Sequence, residues 1–145
     1  MNYELIIVRY GEIGVKSPSV RRRFENQLIK NIKDKLNCKI EIDQGRIFLY
    51  PSDFGEAFEK LSKISGVVSF SPVVSTNTNF DNIEQKISKY VEDLLSEGLF
   101  SPENTFAIRC RRIGTHNFTS LEMASFIGSV VVKNTNAPVN LDILT

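Results

Sequence analysis

Residues suited to metal binding or redox chemistry are scarce in this 145-residue chain, which has one histidine, His116, and two cysteines, Cys38 and Cys110. The cysteines are far apart and form no CxxC pair, and there is no second histidine, so a zinc site and a thioredoxin-like motif are excluded. We expect both cysteines to fill space in a core. The longest apolar runs, residues 5–8 and 128–132, are too short to span a bilayer, and the N-terminus has no signal-peptide pattern. A cytoplasmic protein is therefore expected.

Motifs for nucleotide-dependent or hydrolytic chemistry are also missing. The sequence contains neither a GxxxxGK[ST] P-loop nor a strand-borne GxGxxG, and it has no GxSxG nucleophile elbow. A Ser-His-Asp triad would depend on His116 alone, and no spacing of carboxylates indicates an acid/base pair. We expect no catalytic residue, metal site or cofactor within this chain.

Charge is unevenly distributed along the sequence. Residues 9–46 carry ten Lys and Arg against five acids, a net of +5, whereas residues 80–103 carry two Lys against six acids, a net of −4. A positive block is what a polyanion ligand requires, because phosphate contacts supply most nonspecific affinity for nucleic acid. A solvated helix face explains such a block equally well.

The first half of the sequence predicts a ferredoxin-like sandwich. Four short apolar or alternating runs are typical of strands: YELIIVRYG, KIEID, RIFLYP and VVSFSPVV. Two longer runs have apolar residues at helical spacing: VRRRFENQLIKNIKDKL and DFGEAFEKLSKISG. Gln44-Gly45 predicts a hairpin between the second and third strands. The order strand, helix, strand, strand, helix, strand is that of the split βαβ fold, which we place at residues 1–74, with the polar run STNTN at 75–79 as the linker.

The second half, residues 75–145, predicts a smaller α/β domain. A helix is expected near residues 81–98, and TFAIRCRRI, residues 105–113, is expected to form a strand with alternating side chains. Thr119 and Glu122 have the spacing of a capping box that begins another helix, and APVNLDILT is expected to form a last strand. A two-stranded sheet rarely stands alone in water, so we expect this domain to be incomplete and the chain to be a fragment.

Two stretches resemble a known family. VRYGEIGVKSPSVRRRFENQL, followed by GRIFL, resembles the N-terminal ferredoxin-like domain of the tRNA 4-thiouridine synthetases, the ThiI family. TFAIRCRRIGTHNFTSLEMASFIGSVV resembles the centre of a THUMP domain, an RNA-binding module. The segment KSPSV departs from the glycine-rich or asparagine-rich residues that are common in the family at that loop. The resemblance implies an α+β chain with a ferredoxin-like sandwich followed by an incomplete THUMP domain.

The resemblance also implies a function. In this family a pyrophosphatase-type domain marked by SGGxDS follows the THUMP domain, and that motif is absent here. The chain is then expected to bind tRNA by its acceptor 3′ end and present it to the missing domain, which uses ATP and Mg²⁺ to thiolate a uridine. The resemblance also implies two partners, a sulfur-donor protein and that catalytic domain of the same chain. It further implies a link to thiamine thiazole synthesis. A homodimer is expected because the unfinished sheet of residues 75–145 would leave an exposed strand edge with which a second chain could pair.

Basic and polar residues within residues 16–23, at Arg46 and within residues 109–119 are the candidate RNA contacts. Arg21, Arg22 and Arg23 oppose the macrodipole at a helix start, and residues 109–119 combine cations, an amide and an aromatic ring ahead of a helix N-terminus. Phe118 could stack on an unpaired base or act as the hydrophobic staple beside Thr119. Arg9 and Glu12 belong to the loop between the first strand and the first helix, which could approach the RNA, or they could form an ion pair with each other. The full set of candidates is Lys16, Arg21, Arg22, Arg23, Arg46, Arg109, Arg111, Arg112, His116, Asn117, Phe118 and Thr119.

Two alternatives remain open from the sequence. THUMP domains also occur in tRNA methyltransferases and pseudouridine synthases, so the chain could belong to another RNA modification enzyme. Because ferredoxin-like sandwiches host many unrelated functions, it could also be a protein-interaction or small-ligand module.

Overall fold

The computed structural model describes residues 3–11, 17–43 and 45–144. These residues fall into two compact units, of which the first ends at Ser75 and the second begins at Thr76. None of the helices in the described part of the chain is long and apolar enough to cross a membrane.

The first unit is the ferredoxin-like sandwich that the sequence predicts. Its elements are β1 (Leu5–Tyr10), α1 (Pro18–Lys35), β2 (Lys39–Asp43), β3 (Arg46–Tyr50), α2 (Phe54–Leu61) and β4 (Val67–Val73). The four strands form one antiparallel sheet in the order β2-β3-β1-β4. Asp43 pairs with Arg46 across the predicted hairpin, and Gly45 supplies the positive φ of +78° that its turn needs.

One face of this sheet forms the core with both helices. Alternate strand residues such as Ile6, Val8, Ile47 and Leu49 are fully buried and pack in one cluster with residues of α1 and α2. The apolar series of α1 advances in steps of four residues, slightly more than the 3.6 residues of one turn, so it drifts around the helix axis. Its first members, Val20 and Phe24, are therefore 43% and 39% exposed, whereas Leu28, Ile32 and Leu36 are buried.

The second unit contains two packed helices, α3 (Phe80–Ser96) and α4 (Ser120–Thr135), and a short 3₁₀ helix, Leu141–Leu144. Ile83, Phe118 and Met123 form its buried cluster, with Cys110, Phe126 and two further apolar residues packed against it. An apolar groove of about 700 Å³ lies along α4 and the 3₁₀ helix, and includes the exposed side chains of Leu121, Val132 and Leu141.

Both strands predicted for this unit are wrong. Phe106 and Val139 form a single parallel bridge, and the rest of residues 105–113 forms no β-ladder. The backbone of residues 107–112 makes no hydrogen bond to another described backbone group, so the pairing that defines a strand is missing. Downstream, the Asn140 side chain accepts a hydrogen bond from the Asp142 N–H at 3.1 Å, which turns the chain into the 3₁₀ helix.

Candidate nucleic-acid interface

Residues 109–119, here called the basic loop, lead into α4 and contain three arginines with different environments. Arg109 donates a hydrogen bond from Nη2 to the Leu144 carbonyl at 3.1 Å. Arg112 donates from Nη1 to the Phe118 carbonyl at 2.9 Å and to the His116 carbonyl at 3.4 Å. Arg111 is exposed and has no hydrogen bond or ion pair to another described residue. Two of the three candidate arginines therefore hold the local backbone, and the third is available to a ligand.

His116 stabilises the same loop. Its Nε2 lies 2.7 Å from the Ile113 carbonyl, and because a carbonyl can only accept, Nε2 carries the proton. The imidazole stacks on the Phe118 ring, with centroids 5.1 Å apart and planes 21° apart. These contacts connect His116 to both ends of residues 113–118, and Asn117 within this segment is exposed.

Phe118 is a core residue in this structure. Only 8% of it is exposed, its ring meets Phe80 edge to face at 5.8 Å, and it clusters with Met123. Since Phe118 precedes the N-cap and Met123 is the fourth residue of the helix, this is the hydrophobic staple geometry. The burial supports the staple interpretation, and stacking of Phe118 on a base would require the ring to leave the core.

The predicted capping box at the start of α4 is confirmed. Thr119 Oγ1 accepts from the Glu122 N–H at 3.1 Å, and Glu122 Oε1 accepts from the Thr119 N–H at 3.4 Å. The Thr119 hydroxyl is thus used inside the helix. The Glu122 carboxylate already provides negative charge at the helix N-terminus, which weakens the attraction of that end for a phosphate.

The candidate residues of the first unit also divide into those held by contacts within the fold and those that are exposed without a described partner. Arg21 forms an ion pair with Glu25, Nε to Oε1 at 3.1 Å, and Tyr10 donates its hydroxyl to the same oxygen at 2.9 Å. Burial, together with the Glu25 carboxylate, raises the pKa of Tyr10 to about 12. Arg21 also lies against the hairpin, where a Cβ on Gly45 would be 2.8 Å from its Nη2. Arg21 is therefore held by the fold.

Arg22 and Arg23 are exposed on α1 and have no partner among the described residues. Arg46 is half-buried at the start of β3. Arg9 donates from Nη1 to Ser71 Oγ at 2.8 Å. Its predicted partner Glu12 and the candidate Lys16 both lie outside the described residues.

The sequence interpretation missed two exposed lysines further along α1, Lys30 and Lys33. Their helical spacing from Arg22 and Arg23 is the signal that could have indicated them. Cys38 and Cys110 are unpaired and half-buried, and each packs against the core cluster of its own unit. Burial raises the pKa of the Cys38 thiol. Within the described ranges, no three His, Cys, Asp or Glu side chains are grouped so that they could hold a metal ion.

Comparison with known proteins identifies both units. Residues 5–71 match the family described as the ThiI ferredoxin-like domain, and residues 78–143 match the THUMP domain. A probable tRNA sulfurtransferase from Methanothermobacter thermautotrophicus is 54% identical over 141 residues, which are 97% of this chain and 36% of the relative. The chain thus spans about a third of the length of the curated relatives it matches.

Two solved structures superpose on nearly the whole chain. PH1313 from Pyrococcus horikoshii has a TM-score of 0.81 at 29% identity, covering 95% of this chain and 47% of that protein. A 4-thiouridine synthetase solved in complex with RNA and bound ATP has a TM-score of 0.80 at 26% identity, covering 96% of this chain and 36% of that one.

Proposed function

Since the chain belongs to the ThiI family, with its ferredoxin-like domain followed by a THUMP domain, we propose that it is the tRNA-binding part of a tRNA sulfurtransferase. It binds the acceptor 3′ end of tRNA and positions the molecule for thiolation of a uridine by a catalytic domain elsewhere in the whole protein. Binding and orientation, not bond making, are its contribution.

The environment of Arg111 carries this proposal. Arg109, Arg112 and His116 hold the basic loop through backbone carbonyls, and this leaves the Arg111 guanidinium exposed beside no described acid partner. No carboxylate occurs between residues 104 and 121. An uncompensated guanidinium on such a loop suits a phosphate, since arginine binds phosphate oxygens through two parallel donors.

Binding of tRNA to this chain by filter retention tests the proposal. We expect tighter binding to intact tRNA than to the same tRNA without its 3′ CCA, and a steep fall in affinity with salt. Arg111→Ala should weaken binding and lower the slope of log affinity against log salt by about 1. Lys133→Ala is the matched control, because Lys133 is an exposed cation of the same unit that lies near Glu84. Equal binding by both variants, or equal affinity for both tRNAs, would refute a 3′-end site at the basic loop.

The remaining roles belong to the whole protein. Its catalytic domain would use ATP and Mg²⁺, receive sulfur from a donor protein and act in the cytoplasm, with thiamine thiazole synthesis as a second output and a homodimer as the assembled state. Formation of 4-thiouridine in tRNA by the whole protein, dependent on ATP and Mg²⁺, tests the first of these roles. Sedimentation of the whole protein tests the dimer.

A further inference from the structure

The outward face of α1 carries a line of cations. At about 100° per residue, Arg22, Arg23, Lys30 and Lys33 fall within an arc of roughly 100°, on the side away from the buried Leu28 and Ile32. All four are exposed, and none has a hydrogen bond or ion pair within the described residues. With a rise of about 1.5 Å per residue, the line extends for roughly 16 Å. We call these four residues the α1 ridge.

The positive charge of the α1 ridge is not balanced by acids, because the carboxylate of Glu25 is largely buried. Glu25 is the only acid between residues 18 and 33, its side chain is 15% exposed, and it is occupied by Arg21 and Tyr10. The next acid, Asp34, is exposed and marks the end of the ridge. Cations near a helix N-terminus oppose the macrodipole, so Arg22 and Arg23 are not placed there for the stability of the helix.

The ridge lacks the means to bind unpaired bases. Single-stranded nucleic acid is bound on aromatic platforms, and the one aromatic residue of α1, Phe24, is turned away and stacks on Tyr10 with centroids 6.3 Å apart. A duplex presents its phosphates outward and its bases inward, with a charge about every 1.7 Å of axis in the case of DNA. A straight, rigid row of cations is suited to such a backbone.

We propose that the α1 ridge binds the phosphate backbone of a base-paired stem of the tRNA, and that Lys30 and Lys33 belong to this contact while Arg21 does not. The inference rests on the proposed function and extends it, because it adds a contact to the first unit that carries no sequence information. It fixes the orientation of the stem.

The salt dependence of binding tests this inference. The double variant Lys30→Ala/Lys33→Ala is compared with Lys35→Ala/Lys63→Ala, which removes the same charge from exposed lysines off the ridge. Each phosphate contact contributes about 0.9 to the slope of log affinity against log salt. Over a fourfold rise in salt, the unmodified chain should therefore lose roughly tenfold more affinity for tRNA than the ridge variant. The control variant should keep the slope of the unmodified chain, and Lys30→Arg/Lys33→Arg should restore it.

A short RNA duplex and a single strand of the same length serve as separate ligands. The ridge substitutions should weaken binding of the duplex and leave binding of the single strand unchanged. If both double variants have the same slope, or if only the single strand is affected, the inference is overturned while tRNA binding by the chain stands. If the unmodified chain shows no salt-dependent affinity for tRNA, the proposed function fails and the inference fails with it.

Discussion

Adjacent arginines of the basic loop have separable effects on stability and binding. Arg112 bonds two backbone carbonyls, whereas Arg111 has no described partner. We expect Arg112→Ala to lower the free energy of unfolding by about 1 kcal/mol, the typical net contribution of a hydrogen bond, and Arg111→Ala to leave it unchanged. Urea unfolding of both variants provides the measurement. Equal destabilisation would show that Arg111 also has a structural partner.

Tyr10 makes the first unit sensitive to high pH. Burial and the bond to Glu25 raise its pKa to about 12, while an unfolded tyrosine titrates near pH 10. Between these values the unfolded chain binds fewer protons than the folded one, so stability falls as pH rises. We expect this part of the loss to be absent in Tyr10→Phe, and the component of the tyrosinate absorbance titration near pH 12 to disappear with it. A titration curve that keeps this component in the variant would assign it to another tyrosine.

At the scale of elements, the start of α4 depends on its capping box. Thr119→Ala removes the acceptor of the Glu122 N–H, and loss of such a cap costs about 1 kcal/mol. Thr115→Ala, in the exposed turn of the same loop, is the control and should be neutral. Thermal or urea unfolding distinguishes the two. Thr119→Ser should retain the stability, because its hydroxyl can occupy the same site; if it is as unstable as Thr119→Ala, the cap is not the cause.

Elements whose signals are local could be predicted from the sequence. The capping box of α4, the turn at Gly45 and the order of elements along the first unit depend on neighbouring residues or on a complete alternation of elements, and they are as expected. The strands predicted at 105–113 and near Val139 are wrong, because a strand exists only with a paired neighbour and alternation of side chains does not reveal whether one is present. The roles of Arg112 and Arg21 depend on contacts with Phe118, Glu25 and Gly45, and their charge alone resembled that of free cations.

At the scale of the whole molecule, the described residues form two separate buried clusters, one in each unit. Ile6 to Ile64 supply the buried cluster of the first unit, and Ile83 to Met123 supply that of the second. Stability in proteins is distributed over cooperative units of this kind. We therefore expect that each unit can be destabilised without the other. RNA contacts can be assigned separately to the α1 ridge and to the basic loop only if this is so.

Leu49→Ala tests this separation. Leu49 is fully buried in the first unit, and truncation of a buried leucine costs about 2–5 kcal/mol. We expect hydrogen exchange to accelerate throughout β1 to β4 and α1, while the amides of α3 and α4 keep their protection, because no atom of their cluster is removed. Met123→Ala should produce the opposite pattern, with α1 protected and α4 exposed to exchange. If either substitution accelerates exchange in both units, the chain folds as one cooperative body. A loss of RNA binding could then be assigned to the α1 ridge or to the basic loop only with variants that leave both cores intact, such as those of Lys30 and Arg111.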